Sequence, residues 1–230
     1  GLRLNFGNIL AASYAKEMGI PIAKLICASN ENKVLFDFFT TGCYDRNRDF
    51  ILTSSPSMDI LISSNLERLI YQTAGRDAEK NREFMKELNT DGVYTITKEM
   101  KEQMKDFYGN YATEEETAQT IKEVYDKTGY IIDTHTAVAA AVYKKYEKET
   151  DDKTKTVIAS TASAYKFAES VAKACGIGPC NDGFEYVKAL AEETGVPVPY
   201  GLKDLDKKEI RHTGVVDADK MDEAVLEALK

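Results

Sequence analysis

Three short stretches of this 230-residue chain carry residue types that can do chemistry. Asn5-Phe6-Gly7-Asn8 opens an Ala-rich segment near the start. Glycine lets a backbone turn tightly and approach a ligand. Successive N–H groups at a helix start, aided by the helix dipole, favour a phosphate, and the Asn amides can donate as well. Ser160-Thr161-Ala162-Ser163-Ala164-Tyr165-Lys166-Phe167 lies between an apolar run and a helical one. Ligands in open α/β sheets bind beyond the carboxyl ends of strands, which is where Ser160 and Thr161 are expected. A hydroxyl there can bond a pyridine nitrogen without protonating it, whereas a carboxylate would hold the ring as pyridinium and deepen its role as an electron sink. The third stretch, Asp133-Thr134-His135-Thr136-Ala137, holds one of two histidines. His135 can act as a general acid or base near neutral pH. Taken singly, the first two stretches also fit ordinary helix caps, and His135 fits a helix-terminal side chain bonded to backbone. Taken together, the first two point to a phosphate-bearing cofactor site shared by distant parts of the chain.

The elements that must position these groups follow from hydrophobic spacing. Ile9, Leu10, Ala12 and Ala15 have helical spacing with Asn8 as N-cap, and Gly19 and Pro21 end the run. Ile22–Ala28 is short and apolar and predicts a buried parallel strand. Ser29–Asn32 should cap a helix carrying Val34, Leu35, Phe38 and Phe39. This α–β–α order is the sign of a doubly wound sheet. Ser54–Ser57 should start another helix, with Met58, Ile60, Leu61, Leu66, Leu69 and Ile70 on its apolar side. Residues 76–128 are charged and helical over Asp77–Leu88, Lys98–Phe107 and Glu114–Lys127, with a short strand at Val93–Ile96 and a capping box at Thr113–Glu116. Ala137–Tyr146 predicts a helix, Lys155–Ala159 a second buried strand, and 164–173, Gly183–Thr194 and Asp217–Leu229 further helices. The chain therefore divides into a core segment 1–75 with the phosphate loop, a charged helical insertion 76–128, and a core segment 129–230 with the ring loop.

Composition bounds the class. A hydrophobic fraction of 43% with 30% charged residues allows a substantial core, and a net charge of −8 argues against a general nucleic-acid binder. Cys27, Cys43, Cys175 and Cys180 match no zinc spacing, so no metal site is expected. Cys27 and Cys175 lie in apolar runs and read as core residues. No apolar run reaches the ~18 residues of a membrane span, and a reducing, cytoplasmic setting is the default. Only Gly1–Leu4 precede the phosphate loop, where a strand normally stands, so a fragment of a longer polypeptide is expected. The apolar face left by missing strands would favour self-association into a homo-oligomer.

In this order, the motifs resemble threonine synthase. Asn5–Asn8 is similar to that family's Gly-Asn-Phe-Gly-Asn loop, followed by Ile9–Ala12 and Leu25–Asn32. Ser55–Ile60, Asn65–Arg68, Gly129–Ala139 and Ser160–Ala162 also look like the family. The resemblance covers nearly the whole chain, with the charged middle third least diagnostic. It implies a pyridoxal-phosphate (PLP) enzyme of the tryptophan-synthase-β-like fold, an open parallel α/β sheet flanked by helices (fold type II, here partial). The implied reaction converts O-phosphohomoserine and water to threonine and phosphate. Asn5, Phe6, Gly7 and Asn8 would hold the cofactor phosphate, Thr161 would face the pyridine nitrogen, and Lys166 would help bind the substrate phosphate. Two positions depart from the family: Leu4 stands where it usually has Gly, and Ala164 where Pro is common. The family's Schiff-base lysine belongs upstream of the loop, so the fragment alone is expected to lack turnover. Two other readings stay open: another PLP-dependent β/γ-replacing synthase, and a non-catalytic module that binds a phosphorylated metabolite.

Overall fold

The computed structural model describes residues 6–230. Contacts divide the chain into a main body, Gly1–Pro199, and a separate unit, Tyr200–Lys230. In the main body, helix α1 (Gly7–Glu17) precedes strand β1 (Leu25–Ser29), helix α2 (Val34–Thr41) and strand β2 (Cys43–Asp45). Helices α3 (Leu66–Thr73) and α4 (Ala78–Thr90) lead to strand β3 (Val93–Thr95). Helix α5 (Lys98–Gln103) leads to strand β4 (Phe107–Tyr111). Helices α6 (Glu114–Thr128), α7 (Thr134–Thr150), α8 (Ala168–Ala174) and α9 (Gly183–Thr194) complete the body. The second unit holds two short 3-10 turns and helix α10 (Met221–Ala228).

Strands β1 and β4 pair in parallel, Leu25 beside Phe107, Cys27 beside Gly109 and Ser29 beside Tyr111. Parallel pairing needs a long crossover, and here it takes the intervening stretch from α2 to α5. The strands bury Leu25, Cys27 and Ala28 beneath helices, which is why β1 is apolar along nearly its whole length. Burial drives the pKa of the Cys27 thiol strongly upward. Strands β2 and β3 form a separate antiparallel pair in which Tyr44 lies directly opposite Tyr94. Their rings stack with centroids 5.4 Å apart, an arrangement worth about 0.5–1.5 kcal/mol beyond the area it buries. Burial pushes the Tyr44 phenol up to about 12. It stays protonated, donates to the Leu61 carbonyl at 3.0 Å and accepts from the Ser63 N–H at 2.7 Å. One buried hydroxyl thus fixes the approach to α3.

Several helices start where the side chains dictate. Asp77 accepts from the Glu79 and Lys80 N–H groups at the head of α4, and Thr113 with Glu116 forms the full capping box of α6. Asp133 accepts from the His135 N–H at the head of α7, and Asp182 caps α9. Helix α2 ends at Gly42, whose φ of 83° only glycine adopts without strain.

Other expectations need correction. Asn8 does not cap α1; Phe6 holds that position and the helix begins at Gly7. Ser29–Asn32 does not cap α2, whose N-cap Lys33 makes no side-chain bond. Ser54–Ser57 yields only a 3-10 turn at Pro56–Met58, and the helix waits until Leu66. The helix expected to reach Phe107 stops at Gln103, and Phe107–Tyr111 is a strand of the parallel sheet. The charged middle stretch is therefore tied into the core through β4 and is not wholly peripheral. Among the described residues Lys155–Ala159 forms no strand. The helix expected over 164–173 is a 3-10 turn, Ala164–Phe167, followed by α8. Cys175 is half-buried, unlike Cys27.

The β4–α2 contact is tight at one glycine. A Cβ on Gly109 would lie 3.1 Å from Phe39 Cβ and 3.4 Å from the Phe36 Cα. Neither neighbour is the end of a flexible side chain, so the fit cannot relax cheaply. Gly109→Ala is expected to lose about 1–3 kcal/mol, read as a lowered urea midpoint at an unchanged m-value.

Candidate active site

The first turn of α1 is anchored from below. Phe6 sits at φ 68°, an unfavourable left-handed conformation for a residue with a Cβ. Its ring is buried and stacks on Phe39 and Phe107 at 5.9 and 6.0 Å. Burial of that ring supplies what holds the strained turn. Phe6 has no side-chain oxygen, so the N–H groups of the first helical turn are not capped by it and remain suited to an outside anion. The Asn65 amide lies 3.8 Å from where a Gly7 Cβ would stand, with Arg68 bonded to its oxygen. Asn8 is exposed on the next position and lines an open cavity of about 400 Å³ with Ile9, Ala12, Ile26, Val157 and Ala159. Asn5 lies outside the described residues.

Thr161 lines a neighbouring cavity of about 510 Å³ with Ile131, Asp133, Ser160, Tyr165 and Val196. Asn8 and Thr161 therefore border different cavities. One extended stretch connects them: Thr154–Val157 and Ala159 face the first, and Ser160 and Thr161 face the second. Lys166 lines neither cavity. It is exposed, with its ammonium 5.6 Å from the centroid of the Phe167 ring.

Directly after the end of β1 lies a buried polar cluster that the sequence pattern did not reveal. Asn30 and Asn32 are 2% and 3% exposed, so their amides must find partners in the protein. Asn30 Nδ2 donates to Asp59 Oδ1 at 2.7 Å and to Thr53 Oγ1 at 2.9 Å. Asn32 Nδ2 donates to the Ile51 carbonyl at 2.9 Å and to Asp59 at 3.1 Å. Asp59 also accepts from the Thr53 N–H at 2.9 Å. The cluster pins loop 51–59 over the carboxyl end of β1. The signal available in the sequence was two asparagines directly after a buried strand, a type of residue that seldom sits inside without a matching network.

His135 is 1% exposed. The Ser57 N–H donates to its Nε2 at 3.1 Å, so that nitrogen carries a lone pair. Its proton is then on Nδ1, facing Asp133 Oδ1 at 3.1 Å. Both nitrogens are engaged inside the protein, which removes His135 as a general acid or base and makes it a structural pivot. Thr136 bonds the other Asp133 oxygen and lies 2.9 Å from Ser160 Oγ. The His135 ring packs 4.7 Å from Phe167. Among the described residues, no group of three His, Cys, Asp or Glu side chains could hold a metal ion. No described helix is long and apolar enough to cross a membrane.

A small parallel sheet flanked by helices, with polar loops gathered at the strand ends, is the architecture of PLP enzymes of fold type II. The solved threonine synthase from yeast superposes with a TM-score of 0.83 at 34% identity, covering 99% of this chain and 46% of that one. The PLP-bound threonine synthase of Brucella melitensis gives 0.71 at 37% identity, covering 81% and 40%. A family model described as threonine synthase, C-terminal, matches residues 136–226. Threonine synthase of Saccharomyces cerevisiae is 40% identical over 196 residues, 79% of this chain and 38% of the relative. Threonine synthase-like 1 of Macaca fascicularis is 45% identical over 181 residues, covering 77% of this chain and 24% of the relative. The chain belongs to the threonine synthase family. It spans well under half the length of these relatives.

The Asp59 carboxylate is the hub of the loop above β1. Asp59→Ala leaves the Asn30 and Asn32 amides short of acceptors and is expected to cost about 2–3 kcal/mol, measured as a drop in thermal midpoint. Exchange of the Thr53 amide should accelerate in the same variant.

Proposed function

We propose that this chain supplies the phosphate-holding and ring-holding side of a PLP site in an enzyme that converts O-phosphohomoserine and water to threonine and phosphate. The observation that carries the reading is the stretch 154–161, which runs from the cavity beside Asn8 to the cavity beside Thr161. The stretch links Asn8 and Thr161 through the cavities they line, which supports the reading. Membership of the threonine synthase family supports the reaction class, and the PLP-bound relative supports the cofactor.

The residues fit the cofactor in chemical type. Main-chain N–H groups of Gly7 and Asn8, at the dipole-positive end of an 11-residue helix, suit a phosphate dianion. The Thr161 hydroxyl suits a pyridine nitrogen that is to remain unprotonated. When bound, the cofactor supplies an electron sink for carbanions on the amino-acid substrate. The work of this chain is binding and orientation. The turn at Phe6 aims the helix start, Asn8 borders the opening, and loop 51–59 closes over the end of β1. Lys166 is placed to meet a second phosphate only if its ammonium leaves the Phe167 ring. We assign the lysine that carries the cofactor to sequence outside residues 1–230.

Two measurements test this. Titration with PLP, followed by absorbance and fluorescence, should saturate, and Thr161→Ala should weaken binding about tenfold, the worth of one hydrogen bond. After borohydride treatment, mass spectrometry should find no cofactor attached to any lysine of the chain. A stable lysine adduct with turnover would refute the assignment. With the parent polypeptide, turnover of O-phosphohomoserine but not O-acetylserine separates this reading from another replacing synthase.

A further inference from the structure

We infer that His135, with Asp133 and Thr136, is a positioning unit that holds the Ser160–Thr161 loop in register with loop 51–59. The significance for catalysis rests on the proposed role of Thr161 at the cofactor ring; the positioning itself does not.

The geometry closes on both sides. The Ser57 N–H, two residues from Asp59, donates to His135 Nε2 at 3.1 Å. The ring's other face of contact, Nδ1, meets Asp133 Oδ1 at 3.1 Å. Asp133 Oδ1 also accepts the His135 N–H at 3.0 Å, so the carboxylate cannot rotate without uncapping α7. Its second oxygen takes Thr136, whose Oγ1 stands 2.9 Å from Ser160 Oγ. The Thr136 hydroxyl is the donor toward both the Asp133 carboxylate and Ser160 Oγ, so its one proton is shared between the two acceptors. Ser160 is thereby fastened to the head of α7, and Thr161 is the next residue. Phe167, on the far side of the same loop, packs against the imidazole at 4.7 Å. A neutral imidazole with one fixed tautomer is what this chain of bonds demands. It forms a rigid strut between two loops that come from segments about 100 residues apart.

Asn and Gln at position 135 divide the strut. An Asn amide can donate to Asp133 from the Nδ1 position but does not reach Ser57, whereas a Gln carbonyl can reach the Ser57 N–H but leaves Asp133. Thr136→Val removes only the hydroxyl link and keeps the side-chain shape. The experiment uses the chain as it stands. With only two histidines, ¹⁵N NMR assigns the His135 ring directly. The expected signature is a protonated Nδ1 and an unprotonated Nε2, and a proton on Nε2 would overturn the proposal. In Thr136→Val and His135→Gln, amide exchange at Ser160 and Thr161 should rise about tenfold while α9 amides stay unchanged. Unchanged exchange at Ser160 and Thr161 in folded Thr136→Val also overturns it. PLP titration of the same proteins separates the two readings. If the wild type fails to bind, the cofactor assignment falls and exchange alone judges the strut. If it binds, Thr136→Val should weaken binding several-fold.

Discussion

The parallel pairing of Leu25–Ser29 with Phe107–Tyr111 is the contact on which the rest of the body depends. It joins segments about 80 residues apart, and the Asn30–Asp59 cluster gathers at its carboxyl end. Ala112 donates to the Ser29 carbonyl at 3.0 Å, and the next residue, Thr113, caps α6. From the other strand, the chain enters the Asn30–Asn32 cluster within one residue of leaving the sheet. Both strand ends thus hand the chain directly into polar structure. Ligand sites in open α/β sheets occur at this end because strand carboxyl termini and helix amino termini meet there.

The polar loops form a continuous series of supports. The sheet end holds Asn30 and Asn32, which hold Asp59 and loop 51–59; that loop reaches His135 through Ser57, and the head of α7 reaches Ser160. Each link is short and at least partly buried, and each joins residues remote in sequence. Buried polar networks are costly when a member is missing and specifying when complete. Here the network fixes the relative position of loop 51–59 and the head of α7.

How much of this was legible in the sequence depended on whether the signal was local. The caps at Asp77, Thr113 and Asp133 lie directly before the helices they start; α4 and α6 fall within two residues of the predicted bounds, whereas α7 extends beyond the predicted Ala137–Tyr146 at both ends. Strand β4 was hidden because Phe-Tyr-Gly-Asn-Tyr carries two weak strand formers and follows a lysine-rich helix. The glycine there answers to α2, a contact invisible in the local pattern. Lys155–Ala159 differs in the opposite sense: its β-branched residues allow a strand, but strand formation also needs pairing that local sequence does not encode, and among the described residues it is not part of either sheet. Asn8 and Thr161 were visible as residue types, and they line two different cavities rather than one. The Asn30–Asp59 cluster and the His135 strut were illegible because the bonds that join their separate segments span about 20 to 80 positions, and no periodicity encodes such a return.

The interior thiol carries a separate consequence. Cys27 sits in the middle of β1, fully enclosed, with its ionisation suppressed by burial. A thiol reacts as its anion and only when reagent can reach it, so Cys27 stays silent while the sheet is closed, whereas Cys43, Cys175 and Cys180 are only half-buried. Alkylation of that one sulfur therefore counts openings of the sheet itself, a built-in clock for the rarest fluctuation of the molecule.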